Sequence, residues 1–155
     1  METSLQLRLQ HQPAALHQLL SGLSEEQIHL KPLPDKWSIF ENIAHLGRIQ
    51  EVYLERMHLI QSENNPMLKR YVAEEDAGFA VWCKKDYKRM LNDFETTRQQ
   101  LIDYLHSLSD EQFQRTAQHS SYGTMNVSGW MEFFLLHETH HFFTIFKLAA
   151  LLKNN

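Results

Sequence analysis

Residues 135–143 read L-L-H-E-T-H-H-F-F, and within them His137, Glu138 and His141 spell H-E-x-x-H. In a zinc protease the two histidines of such a string bind the ion, the glutamate acts on a water, and a third ligand arrives, commonly from downstream. Here the stretch from Phe142 to Asn155 contains no His, Asp, Glu or Cys. A protease site would need an upstream third ligand. The competing readings are a different metal site, or histidines that sit in a core and hydrogen-bond one another or water.

The chain has ten histidines. Six of them, His11, His17, His29, His58, His106 and His119, stand in polar or loop-like surroundings and are expected at the surface. Helical geometry sorts the rest. With His137 at zero on a wheel of about 100° per residue, His141 falls at about 40°, Trp130 at about 20°, Phe133 at about −40° and Phe134 at about 60°. His137 and His141 are therefore expected centrally on an apolar stripe. His140 at about −60° and Glu138 at about 100° fall at its margins, which favours for Glu138 an exposed or N–H-pairing role over that of a base or of a group behind the ligands.

A second wheel, centred on His45, places Ile49 at about 40°, Val52 at about −20° and Asn42 at about 60°, so His45 also points inward. Burying three imidazoles in an aliphatic core costs on the order of a few kcal/mol for each unsatisfied polar group. A divalent metal held by His45, His137 and His141 would remove that cost. Histidines at i, i+4 are separated by about 6 Å along one face, a gap that two side chains can close on one ion. Three histidines with an open position are the ligation of a catalytic rather than a structural metal. No catalytic residue beyond the ligands is identified.

The elements that must position these side chains read as helices. Glycine and proline are scarce, five and four, and long stretches carry helical rather than alternating periodicity. A first helix is expected from about Ser4 to Leu20, with Pro13 as a kink and Gly22 after its end. Ser38-Ile39-Phe40-Glu41 fits a capping box, starting a second helix near Ile39 that runs to about Ser62, before Asn64-Asn65-Pro66. Residues 66–85 read as a loop with short helical pieces. A third helix is expected from Asp86 to about His106, and a last one, capped by Asn126 or Ser128, to about Lys153. The fold class is all-α: one domain over residues 1–155, a four-helix bundle with short extra helices in the connections.

Leu23-Ser24-Glu25-Glu26-Gln27-Ile28 is echoed by Leu108-Ser109-Asp110-Glu111-Gln112-Phe113. Each copy follows a long helix and precedes a histidine-bearing one, which suggests pseudo-symmetric halves. Trp37, just before the capping box, reads as a hydrophobic staple against Ala44 or its neighbourhood.

Composition removes several function classes. A net charge of −4, from 15 Lys+Arg against 19 Asp+Glu, is a poor footprint for nucleic acid. The single cysteine, Cys83, excludes an internal disulfide framework and a Cys-rich zinc site; beside Trp82 it reads as a packing residue, not a nucleophile. No membrane span or signal peptide is apparent, so a reducing cytoplasm is the expected setting.

Three segments, K-W-S-I-F-E-N-I-A-H-L at 36–46, Tyr122-Gly123-Thr124 before the last helix, and His137-Glu138-Thr139-His140-His141, resemble the DinB-like (YfiT-related) family of four-helix-bundle metalloproteins. The resemblance implies a divalent metal, nickel or zinc, bound by His45, His137 and His141, with His140 outside the ligand set, in a cytoplasmic homodimer acting on a small molecule. Some members look like transferases of a low-molecular-weight thiol. A glutamine common in the family three residues after the last ligand is replaced here by Thr144, and Phe142, Phe143 and Phe146 make the last helix more aromatic, as dimer packing would. The leading expectation is metal-dependent transfer of a small thiol to an electrophile. A metal-dependent hydrolase at the same site, and a non-catalytic metal-binding or stress-response bundle, are the alternatives.

Overall fold

Pro13 cannot donate to the carbonyl of Leu9, and the first helix breaks there into α1 (Thr3–His11) and α2 (Ala14–Leu20) in the computed structural model, which describes residues 1–153. Gln12 and Pro13 keep right-handed helical dihedrals, so the break is a kink. The helix after it ends before Gly22, whose φ of 78° is open only to glycine at little cost.

Beyond it follow α3 (Glu25–His29), α4 (Ile39–Ser62), β1 (Met67–Leu68), a 3₁₀ turn at Ala73–Glu75, α5 (Ala77–Trp82), α6 (Tyr87–Ser107), α7 (Asp110–Gln114), β2 (Thr116–His119), β3 (Gly123–Asn126) and α8 (Val127–Lys153). α1 with α2, α4, α6 and α8 are the four rods of a helical bundle. No helix among the described residues is long and apolar enough to cross a membrane.

The long helices begin where their side chains can satisfy the free N–H groups of the first turn. Ser38 accepts from the Glu41 N–H and Glu41 accepts in return from the Ser38 N–H, completing the expected box on α4. Asp86 accepts from Lys88 and Arg89 at the start of α6, and Asn126 accepts from Gly129 at the start of α8. The echoed segments are α3 and α7. Each is a five-residue helix opened by the same reciprocal box, Ser24 with Gln27 and Ser109 with Gln112.

The connection after α7 departs from the all-helical expectation. Residues 116–126 form a hairpin, with His119 opposite Gly123, and β1 adds alongside β2 in parallel to make a three-stranded sheet of order β1-β2-β3. Strands of two and four residues are too short to write an alternating pattern. Their effect is local: they place His119 and Tyr122 against Trp130 and Phe133 of α8.

Two apolar clusters fill the bundle. One gathers Leu16, Ile39, Ile43, Leu46, Trp82, Phe94 and Ile145; the other Leu5, Leu9, Tyr53, Met57, Leu101, Trp130 and Phe134. Gly47 is required by the first: a Cβ there would lie 2.1 Å from the Trp82 ring.

Between them runs a buried polar network. Arg98 on α6 is 3% exposed and forms an ion pair with Glu138 on α8, which is 0% exposed. The same guanidinium donates to Gln50 Oε1 on α4 at 2.6 Å and to the Leu9 carbonyl of α1 at 3.0 Å, the acceptor that Pro13 leaves free. Gln50 in turn donates to the Phe94 carbonyl at 2.8 Å, and Gln12 donates to Glu138 Oε2 at 2.7 Å. Burial pushes the Glu138 carboxyl above its usual range, while Arg98 and Gln12 pull it back.

Glu138 is therefore not exposed, as its wheel position suggested, although its partners are N–H groups. Of the two roles expected for it, N–H pairing holds and exposure does not, because α8 packs on two sides: the margin of the stripe facing α4 is the centre of the stripe facing α1 and α2, where Arg98 of α6 reaches it. His137 and His141 flank the deepest line of α8 and are half-buried.

Removing one partner of a buried pair strands the other charge, at a cost of about 3–5 kcal/mol. Arg98→Met should lower the urea unfolding free energy by that amount, and adding Glu138→Leu should restore most of it. A double variant as unstable as the single one would show that the network is not held by the pair.

Candidate metal centre

α4 and α8 lie side by side, and their histidines meet across the gap. His45 Nε2 is 3.3 Å from His137 Nε2. The His45 ring centroid lies 4.5 Å from that of His141, and His137 and His141 are 4.7 Å apart. One ring nitrogen from each of the three residues falls within 4.8 Å of the others. His140, on the same helix, is exposed and does not join them.

These imidazoles are poorly served by the protein alone. The buried Nδ1 atoms of His45 and His137 have no hydrogen-bond partner among the described residues. Their Nε2 atoms have only each other, an arrangement that uses one proton and one lone pair. Burial, with the neighbouring histidines adding to it, pulls the pKa of His45 down to about 2, that of His137 to about 4 and that of His141 to about 3. All three rings are therefore neutral at physiological pH. Neutral, converging imidazole nitrogens are the donor set a divalent transition metal takes.

His141 is oriented by a second residue of α4. Asn42 donates through its amide nitrogen to the Ser38 carbonyl at 2.8 Å, which leaves its oxygen facing His141 Nδ1 at 2.9 Å. An amide oxygen only accepts, so His141 carries its proton on Nδ1 and keeps the Nε2 lone pair free. Asn42 shares the inward face with His45 on the wheel, and its type and spacing were a readable signal.

The cluster forms part of the wall of a cleft of about 550 Å³. Trp37 borders it, with ring centroids 5.0 Å from His45 and 6.1 Å from His141, so its aromatic neighbours are the site itself and Phe79. Tyr71 stands 5.7 Å from His45 and donates its hydroxyl to Asp76. His119, expected at the surface, is half-buried against Trp130 and Phe133 and lines the same cleft, because the hairpin folds it back. Its Nδ1 accepts from the N–H groups of Ser121 and Tyr122, leaving the proton on Nε2.

Arg56, not among the candidate residues read from the sequence, lines the cleft too; at about 20° on the His45 wheel it shares that histidine's face of α4. Arg70 and Tyr71 arrive on the segment after β1, for which helical spacing gives no signal. Among the described residues, the cleft's one carboxylate side chain is the exposed Glu74.

Three other candidates fall outside the cleft. Glu138 turns away to Arg98, so the H-E-x-x-H glutamate has no access to an ion held by the histidines. Thr144 donates to the His140 carbonyl and borders a separate apolar groove of about 890 Å³ beyond Trp37. Burial pushes the Cys83 thiol up to about 11, which keeps it protonated. Of the last helix's aromatics, Phe142 is buried, whereas Phe143 and Phe146 are exposed.

Imidazoles whose folded pKa lies below the ordinary 6.5 bind protons better in the unfolded chain. The metal-free protein should keep its full stability above pH 6.5 and lose it as pH falls from there through about 4, a trend that His45→Phe should weaken in urea titrations. Asn42→Ala should lower metal affinity roughly ten- to hundred-fold, measured by competition with a chelating dye.

The sequence profile described as the DinB superfamily matches residues 8–145. The uncharacterized protein YuaE of Bacillus subtilis is 27% identical over 139 residues, covering 79% of this chain and 83% of the relative. The putative metal-dependent hydrolase BH0277 of Halalkalibacterium halodurans is 26% identical over 134 residues, covering 83% and 75%. The structure of YfiT from Bacillus subtilis, described as a probable metal-dependent hydrolase with an unusual four-helix bundle topology, superposes with a TM-score of 0.74 at 19% identity, covering 95% of this chain and 85% of that one. With a family match over most of its length and a shared bundle, this chain belongs to the DinB superfamily.

Proposed function

We propose that the protein is a metal-dependent enzyme that joins a low-molecular-weight thiol to an electrophilic small molecule, with His45, His137 and His141 holding nickel or zinc. The observation that carries this reading is the meeting of three neutral imidazoles within 4.8 Å in the wall of a cleft. When bound, a divalent ion with an open position supplies Lewis acidity that lowers the pKa of a thiol or of water.

The chain's own residues do the rest. Asn42 fixes the His141 tautomer and ring plane. Trp37, Tyr71 and Phe79 surround His45 and keep bulk water from one side of the cluster. Glu138 and Arg98 hold the α8 backbone that carries two of the three histidines. Among the described residues the cleft's carboxylate is the exposed Glu74, and a thiol, more acidic than water, has less need of a base. The exposed Leu136, Phe143, Phe146 and Leu151 on α8 suit burial against a second copy, so we include a homodimer in the proposal.

A hydrolase acting at the same histidines is the second reading. It is favoured by the descriptions of YfiT and BH0277 and would leave Glu74, on the cleft wall, as the group positioned to accept a proton.

Elemental analysis of tag-free protein, beside assays of electrophile loss, separates these readings. We expect near-stoichiometric metal in the parent, loss of metal in His45→Ala, and consumption of an α-chloroamide only when a thiol is added. Turnover without thiol would select hydrolysis. Metal without turnover of either kind would make the bundle a binding protein, and metal retained in His45→Ala would overturn the ligand set.

A further inference from the structure

The carboxylates around the cleft are unevenly shared. Arg48 alone engages Glu51 at 3.1 Å, Glu55 at 2.9 Å and Asp76 at 2.7 Å. Arg56 and Arg70, which line the cleft, form no ion pair among the described residues. They stand on the rim between the cleft and the groove that Arg48 and Asp76 border.

Arg56 is nevertheless held in place. It donates to the Lys69 carbonyl at 2.8 Å, and its guanidinium lies 5.1 Å from the Tyr53 ring and 5.8 Å from the Trp130 ring. Aromatic faces and a backbone carbonyl fix its position without supplying a counter-charge. Burial lowers its pKa, and Tyr53 and the nearby Glu55 offset part of that. Glu55, its neighbour in sequence, is paired with Arg48, and Glu74, which also lines the cleft, forms no ion pair with either arginine among the described residues.

We infer that the cleft takes a small molecule bearing an oxyanion, a carboxylate or a phosphate, which Arg56 and Arg70 receive while the histidine cluster faces the molecule's reactive end. The inference rests on the cleft being the substrate site, as proposed above, and names the class of substrate. Guanidinium groups bind oxyanions through paired, charge-assisted hydrogen bonds, and such bonds are about twice as strong as neutral ones. Each arginine is a binding residue for the end of the molecule remote from the chemistry.

Mercaptoacetate and mercaptoethanol are of similar size and differ in the charge opposite the thiol. Their binding can be followed by quenching of Trp37 and the other tryptophans, on metal-loaded and on metal-free protein. In both forms mercaptoacetate should bind at least about ten-fold more tightly, the scale of one charge-assisted contact. Arg56→Gln with Arg70→Gln should bring the two thiols to parity with metal content unchanged. Arg70→Gln alone, at an exposed side chain, should remove part of the preference and keeps the test open if the double variant fails to fold.

Acetate and inorganic phosphate as competitors tell which oxyanion the pair prefers; failure of both to compete would overturn the inference. So would equal affinity for the two thiols in the parent, or a preference that persists in both variants. Failure of the protein to take up metal would count against the proposed function. The metal-free arm would still decide this inference.

Discussion

The ion pair between Arg98 and Glu138 is the contact on which the bundle's geometry turns. Its two members, with Gln50, Gln12 and the Leu9 carbonyl, connect α6, α8, α4 and α1, so all four rods share one hydrogen-bonded knot. Apolar packing alone tolerates sliding and rotation of a helix as apolar on all sides as α8. A buried charge does not, since any register that separates Glu138 from Arg98 leaves it stranded in low dielectric. Because Glu138 is fixed between His137 and His141 in sequence, locking its side chain toward α6 commits both histidines to the side facing His45.

Around the histidines the balance runs the other way. The knot has a partner for nearly every donor and acceptor, whereas the histidine cluster keeps two buried ring nitrogens with none. The chain tolerates that deficit in a wall shared with an open cleft. Conformational freedom has been removed by Asn42, by Trp37 stacked alongside, and by the capping box that starts α4 immediately before them. The orienting residue and the first histidine thus share one well-nucleated stretch of helix, and their relative placement depends little on distant loops.

The same distinction explains what could be read from the sequence. Helix starts at Ser38, Asp86 and Asn126 follow from short-range chemistry, and so do the twin boxes at Ser24 and Ser109. His45, His137 and His141 came together as their periodicity suggested, and Asn42 and Arg56 lay on the same face of α4. Glu138 was misplaced because a single wheel assumes a single buried face. The sheet, His119, Tyr71 and Arg70 escaped altogether: tertiary contact sets their positions, and segments of a few residues carry no period of their own.

The distance in sequence across the cluster bears on how the protein is made. His45 and His137 are 92 residues apart, and Asn42 and His141 are 99. At roughly 5–20 residues per second, a ribosome releases α4 several seconds before α8. During that interval His45 is the one member of the three-histidine cluster that has been made, and the cluster cannot form. A ligand that needs all three imidazoles would therefore find its site only after α8 has been made and has met α4.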